Sequence, residues 1–336
     1  MAQVTGESPE KLEDAIVRSA EATAVHVRAA RSAIGAVIFG QERVVEQALI
    51  TVLAGGHALL VGVPGLAKTK LVETMGVVLG LDARRIQFTP DLMPSDILGS
   101  EVLEEGAGGK RSFRFIPGPV FAQLLMADEI NRASPRTQSA LLQAMQEQHV
   151  TVAGARHDLP KPFHVLATQN PLEQEGTYPL PEAQLDRFLM EIDVGYPELE
   201  AERKILFDTT GAEGARPKAA MSADDLMAAH RLVRRLPVGE SVVDAILQLV
   251  RSARPGPDAG DLGRLISWGP GPRASQALML VVRARALLDG RLAPSIDDVL
   301  ELAEPVLKHR MALTFAARAE GETVGNVIAR LKARIG

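Results

Sequence analysis

Between His57 and Leu79 the chain passes from a short apolar run, through a turn rich in glycine and proline, straight into helical spacing. His57-Ala-Leu-Leu-Val61 is too short for a helix and has the uninterrupted apolar character of a strand covered on both faces. Gly62-Val63-Pro64-Gly65-Leu66-Ala67-Lys68-Thr69 follows, and Lys68 to Leu79 has the period of a helix. A strand that turns on glycines into a helix N-terminus aims backbone N–H groups and the positive end of the helix dipole at one point, which suits a phosphate. Lys68 would reach β and γ phosphates, and Thr69 would offer its hydroxyl to Mg2+. The general pattern has glycine before the lysine, where this chain has Ala67. Taken by itself, the stretch also admits a plain Gly/Pro turn beside an incidental lysine.

Further short apolar runs, at Arg85–Phe88, Gln123–Ala127, Phe163–Thr168 and Leu189–Val194, alternate with helical segments such as Arg136–Gln148. With the run at His57 they predict an α/β fold, a parallel five-stranded sheet covered by helices on both faces. After Tyr196-Pro197 the strand-like runs stop, and amphipathic helices are expected near Leu199–Thr209, Ala223–Leu236, Ser241–Arg254, Arg273–Asp289 and Ile296–Leu307. The expected division is therefore a tail and helix over 1–34, an αβα core over 35–197 and a smaller all-α domain over 198–336.

The run Phe121 to Ala127 leads directly into Asp128-Glu129-Ile130-Asn131. Two carboxylates at the end of a strand lie at the carboxyl edge of the sheet, where ligands bind in open α/β folds and where the phosphate loop also emerges. Asp128 suits a magnesium ligand, and Glu129 suits a residue that orients and activates an attacking water. A solvated strand end is the bland alternative. Phe163 to Thr168 ends in Gln169-Asn170-Pro171, which brings the Asn170 amide to the same edge, although an Asn-Pro turn needs no function. Arg187, in Leu180-Pro-Glu-Ala-Gln-Leu-Asp-Arg-Phe188, has the planar donor fork that stabilises a transferring phosphoryl group, and a surface ion pair competes with that reading. Arg273 opens a helix after the rigid turn Gly269-Pro-Gly-Pro272 and is placed to sense a phosphate as that helix moves.

Composition removes several classes. The 336 residues carry a net charge of −5, which leaves no global positive field for a phosphate backbone. With no cysteine, disulfides, thiolate metal sites and cysteine nucleophiles are out. His164 and His309 lack metal-ligand spacing and read as structural. No apolar stretch approaches the roughly 20 residues that span a bilayer, and the first twenty residues lack a signal-peptide core, so a cytoplasmic protein is expected.

The order of these parts resembles that of AAA+ ATPases: Walker A at Gly62–Thr69, Walker B ending in Asp128 and Glu129, sensor 1 at Asn170, arginine finger at Arg187 and sensor 2 at Arg273. Four phrases narrow the resemblance to the MoxR family: the loop Gly62–Thr69 with its Ala67, Asp128-Glu-Ile-Asn-Arg-Ala133, Ala167-Thr-Gln-Asn-Pro171, and Glu175-Gly-Thr-Tyr-Pro-Leu-Pro-Glu-Ala-Gln-Leu-Asp-Arg-Phe188. The resemblance covers roughly residues 35 to 315. It implies a P-loop NTPase core with a helical lid, in the branch that inserts a hairpin in the second core helix and is related to magnesium chelatase ATPase subunits. Here that insert would lie near 98–115, with its turn at Gly106-Ala-Gly-Gly109, and a second hairpin near 150–158. Ile38, Gly40 and Lys70 complete the candidate nucleotide-binding set.

The resemblance further implies Mg-dependent ATP hydrolysis by a hexameric ring, with chaperone-like remodelling, maturation or metal insertion of a partner complex and a von Willebrand factor A domain protein as cofactor protein. Lys68, Thr69 and Asp128 would hold MgATP, Glu129 and Asn170 would position water, and Arg187 would reach in from a neighbour. Whether Arg273 acts within or across subunits stays open. The nearest alternative is the ATPase subunit of a magnesium or cobalt chelatase. A DNA-translocating motor is a different class, for which Lys110, Arg111, Arg114 and Arg156 supply a few basic hairpin residues against the acidic balance.

Overall fold

The computed structural model describes residues 9–105, 111–173, 175–210 and 216–335. The chain enters through α1 (Pro9–Gly35) and α2 (Glu42–Leu53) and reaches β1 (Ala58–Val61). From there α3 (Lys68–Val78) leads to β2 (Ala83–Gln87) and the short α4 (Pro94–Leu98). A hairpin of β3 (Gly99–Glu105) and β4 (Arg111–Pro117) precedes β5 (Leu124–Asp128). Next, α5 (Pro135–Glu147) runs into a second hairpin, β6 (His149–Val152) with β7 (Ala155–Asp158). β8 (His164–Gln169), α6 (Glu182–Leu185) and β9 (Met190–Asp193) complete this part of the chain.

Five strands form one parallel sheet in the order β2-β5-β8-β1-β9. The reason is visible in composition: Leu124, Leu125, Met126 and Ala127 of β5 and Val165, Leu166 and Ala167 of β8 are all buried, so neither face of these inner strands meets water. At one edge β2 reads Ala-Arg-Arg-Ile-Gln and is largely exposed, and its charges discourage pairing with another chain. Parallel pairing puts the carboxyl ends of β1, β2, β5 and β8 side by side, with Gln87 opposite Asp128 and Val61 opposite Gln169.

Beyond β9 come α7 (Leu199–Thr210), α8 (Ala223–Val233), α9 (Glu240–Ser252), α10 (Pro272–Leu288), α11 (Ile296–Leu307), α12 (Phe315–Ala319) and α13 (Val324–Lys332). Ser222 with Asp225 and Ser295 with Asp298 form capping boxes that start α8 and α11, since each serine and acid satisfies an otherwise unpaired N–H. This region is helical as expected, with three additions: the helices α12 and α13, and a small antiparallel ribbon of β10 (Ile266–Trp268) and β11 (Ala312–Leu313). Strands of two or three residues carry no readable period. The expected separate N-terminal helix is also part of the main body. Ala20, Val27, Ala30 and Ile34 of α1 are buried in the same cluster as residues of α2, α3, α8 and α10. The two inserted hairpins occur where expected and touch, with Phe115 stacked on His157 at 3.9 Å between ring centroids. The expected turn at residues 106–109, and Lys110, lie outside the described residues.

Candidate active site

Gly62 closes β1 where a side chain could not fit, because a Cβ there would meet the Val194 carbonyl oxygen at 2.5 Å. Gly65 turns the loop at φ +84°, and Ala67, also left-handed at φ 55°, caps α3. The first N–H groups of α3 therefore point into the space above the sheet edge. The Lys68 ammonium donates to the carbonyls of Gly62 and Val63, the second at 3.2 Å. Burial pulls its pKa below the ordinary lysine value, opposed by the nearby carboxylates of Asp128 and Glu129. From the opposite side, Gln41 donates to the Leu66 carbonyl at 3.2 Å and fixes the loop.

Asp128 ends β5, and Glu129 takes left-handed backbone (φ 55°, ψ 51°), which swings its carboxylate out of line with the strand. Thr168, in β8, holds both residues. Its hydroxyl donates to Asp128 Oδ1 at 2.6 Å and accepts from the Glu129 N–H at 2.8 Å. From β2, Arg85 donates to Asp128 Oδ2 at 2.5 Å, and Gln87 donates to Glu129 Oε2 at 2.7 Å. Arg132 reaches the same Glu129 oxygen at 3.1 Å. The Asn170 side-chain oxygen accepts from the Leu172 N–H at 3.1 Å.

Gly65, Lys68, Thr69, Asp128, Glu129 and Asn170 line one cleft of about 490 Å³. Pro64, Leu66, Ala67 and Lys70 line it as well. Gly62 and Val63, whose carbonyls hold Lys68, lie at the foot of the loop outside this lining, and two further candidates stand apart from the cleft altogether. Ile38 is buried core, and Gly40 borders a separate hollow of about 450 Å³ with Phe39, Glu198 and Lys204. Arg187 and Arg273 are also elsewhere: with Arg234 and Arg310 they line a cavity of about 280 Å³ between the sheet's other end and α10. There Arg273 pairs with Asp186 at 3.5 Å.

Sequence reasoning missed Arg85, Gln87 and Thr168. The polar Thr168 in an otherwise apolar strand was a usable signal; Arg85 and Gln87 sit on an exposed edge strand where polar residues are ordinary. The groups lining the cleft that can ligate a metal are oxygens, among them those of Thr69, Asp128, Glu129, Thr168 and Asn170, while Lys68, Lys70 and Arg85 are cations that cannot; among the described residues no three His, Asp or Glu side chains converge as a cage. That donor set fits Mg2+, which keeps several waters and takes few protein ligands beside phosphate oxygens.

A phosphate loop facing an acidic strand end across one cleft, on a five-stranded parallel sheet followed by helices, defines an AAA+ type P-loop protein. Residues 57–190 match the family model described as ATPase family associated with various cellular activities (AAA), and residues 263–331 match the AAA lid domain. The chain is 44% identical over 286 residues to Chaperone MoxR1 of Mycobacterium tuberculosis, covering 84% of this chain and 75% of that one. It is 33% identical over 318 residues to Protein MoxR of Paracoccus denitrificans, covering 88% and 91%. A crystal structure from Cytophaga hutchinsonii, of a protein assigned as an ATPase, superposes with a TM-score of 0.89 at 36% identity and covers 97% of this chain and 98% of its own. The chain belongs to the MoxR family of AAA+ ATPases.

Proposed function

We propose that this protein binds MgATP in the cleft between the phosphate loop and Asp128–Glu129 and hydrolyses it to drive chaperone-like remodelling of partner proteins from a ring of subunits in the cytoplasm. The observation that carries the hydrolytic part is the convergence of Lys68, Thr69, Asp128, Glu129 and Asn170 on one cleft. The loop N–H groups and Lys68 cradle the phosphates once the ammonium exchanges its own carbonyls for phosphate oxygens. Thr69 and Asp128 would hold Mg2+, which supplies charge neutralisation between the phosphates. Glu129, held by Gln87 and Arg132, orients a water and accepts its proton, and Asn170 fixes the γ phosphate or that water.

Arg187 and Arg273 line a cavity distinct from their own cleft, which favours action on the nucleotide of a neighbouring subunit for both. The chaperone reading is supported by the relative named Chaperone MoxR1; a von Willebrand factor A domain partner is proposed from the family resemblance alone. The DNA-motor reading loses support at the hairpins, because Arg114 is paired with Glu104 at 3.0 Å and Arg156 with Asp158 at 2.9 Å. Glu129→Gln should keep nucleotide affinity within a few-fold while turnover drops by about 10²-fold or more, the scale of a lost general base. Ordinary turnover in that variant would refute the assignment.

A further inference from the structure

The segment that carries Arg187 is held from the helical region by three consecutive side chains. A tight 3-10 turn, Lys308–Arg310, follows α11 and lies against residues 186–193. Arg310 is only 3% exposed, and its whole fork is spent on this segment and on the end of α11. Nε donates to Asp186 Oδ1 at 2.7 Å; one terminal nitrogen donates to the Phe188 carbonyl at 2.7 Å and the Asp186 carbonyl at 3.3 Å. The other donates to the Leu189 carbonyl at 3.2 Å and the Val306 carbonyl at 2.5 Å. His309 Nε2 lies 3.1 Å from the Phe188 carbonyl, and Lys308 pairs with Glu191 at 3.2 Å and Asp193 at 2.5 Å.

Arg187 is thus bracketed: the carbonyls on both sides of it, at 186 and at 188 and 189, accept from one buried guanidinium of the helical region. Asp186 closes the circle, since its second oxygen pairs with Arg273 at the start of α10. A backbone segment held at both flanks by another element cannot shift relative to that element without breaking these contacts, and here the same turn is also tied to β9 through Lys308. Only a planar five-donor fork can span such a set of carbonyls at once; the ammonium of lysine is a point donor.

We propose that Arg310 is a positioning residue that locks the Arg187 segment to the helical lid, so that Arg187 and Arg273 travel as one unit when the lid moves. The inference rests on the reading that Arg187 acts on a neighbouring subunit's ATP. It makes the lid orientation of one subunit the control of hydrolysis in the next. Nucleotide affinity does not depend on it, because Arg310 lines a cavity apart from the subunit's own cleft.

The test is a double-mutant cycle on the assembled full-length protein, with turnover and the dissociation constant of a fluorescent ATP analogue measured separately. Arg310→Met should lower kcat about 10-fold or more, as expected when a transition-state contact is displaced by an ångström or so, and change analogue affinity less than about 2-fold. The Arg187→Ala/Arg310→Met protein should be no slower than Arg187→Ala alone. Additive losses, or an unchanged kcat in Arg310→Met, would overturn the proposal. If Arg310→Met fails to fold or assemble by thermal melting and gel filtration, Arg310→Lys takes its place with the same expected split and a smaller loss, and a wild-type kcat there overturns it equally. Wild-type turnover in Arg187→Ala would instead sink the finger reading and the coupling with it, whereas a slow Arg187→Ala beside a normal Arg310 variant removes the lock alone.

Discussion

Ala67 and Glu129, at opposite sides of the cleft, both hold left-handed backbone at φ 55°. For a residue with a Cβ this conformation costs about 1–2 kcal/mol, and glycine avoids that cost while losing about 0.5–1 kcal/mol of unfolded-state entropy. Ala67→Gly should therefore leave stability within about 1 kcal/mol of wild type, on the stabilising side, with nucleotide binding retained; denaturant midpoints of the two proteins check this. A clear destabilisation would mean that the alanine methyl packs favourably enough to offset its strain. At this scale the loop and the acidic pair were legible because each is contiguous in sequence and its chemistry is local. Arg85, Gln87 and Thr168 were not, because only strand register brings them there: Gln87 lies opposite Asp128, and Ala127 lies opposite Ala167 next to Thr168. Ile38 and Gly40 were assigned to the nucleotide set and fall outside the cleft lining, since the distance of a preceding loop from the sheet edge is not encoded in spacing.

Among elements, the end of the sheet remote from the cleft is stapled by neutral histidines. His57 Nδ1 accepts from the Val165 N–H at 2.9 Å, which leaves Nε2 as the N–H facing the Met145 carbonyl at 3.3 Å. His164 Nδ1 lies 2.9 Å from the Gly56 carbonyl, and its ring meets His230 of α8 edge-on at 5.3 Å. Burial depresses the pKa of His57 to about 4 and of His164 to about 3. A histidine with a depressed folded pKa is neutral in the native protein while the unfolded chain takes up a proton near pH 6.5. The stability it contributes is complete above that value and falls with pH towards about 4 or 3, by about 1.4 kcal/mol per pH unit for each group. Chemical denaturation at a series of pH values should show this loss, and His57→Gln should reduce the slope below pH 6.5 by about one proton; an unchanged slope contradicts the assignment. The five sheet strands, from their apolar runs, and the helices α3, α5 and α7 to α11, from their period, were readable to within a few residues, whereas α2, α12 and α13 were not singled out. The ribbon β10–β11 was not, being two and three residues long.

For the whole molecule, α1 binds the sheet-bearing part to the helices that follow. Arg31 of α1 pairs with Glu46 of α2 at 2.8 Å and lies 3.9 Å from Asp289, while Glu46 also pairs with Arg285 of α10 at 2.7 Å. An amphipathic helix reads as such from its sequence, but the surface that covers its apolar face is a property of the assembled chain, which is why α1 looked separable. No helix among the described residues is long and apolar enough to cross a membrane. Function at this scale requires one thing first, that the strand, loop and acidic edge meet around a triphosphate. Isothermal titration calorimetry with MgATP on the Glu129→Gln protein, expected to hold the nucleotide with little turnover, tests that directly beside the Lys68→Ala/Glu129→Gln variant. One site per chain is expected for the first protein, with affinity lost by about 10²-fold or more in the second, in keeping with removal of a buried charge-assisted contact to phosphate. No heat of binding in the first, or equal affinity in the two, would contradict the account.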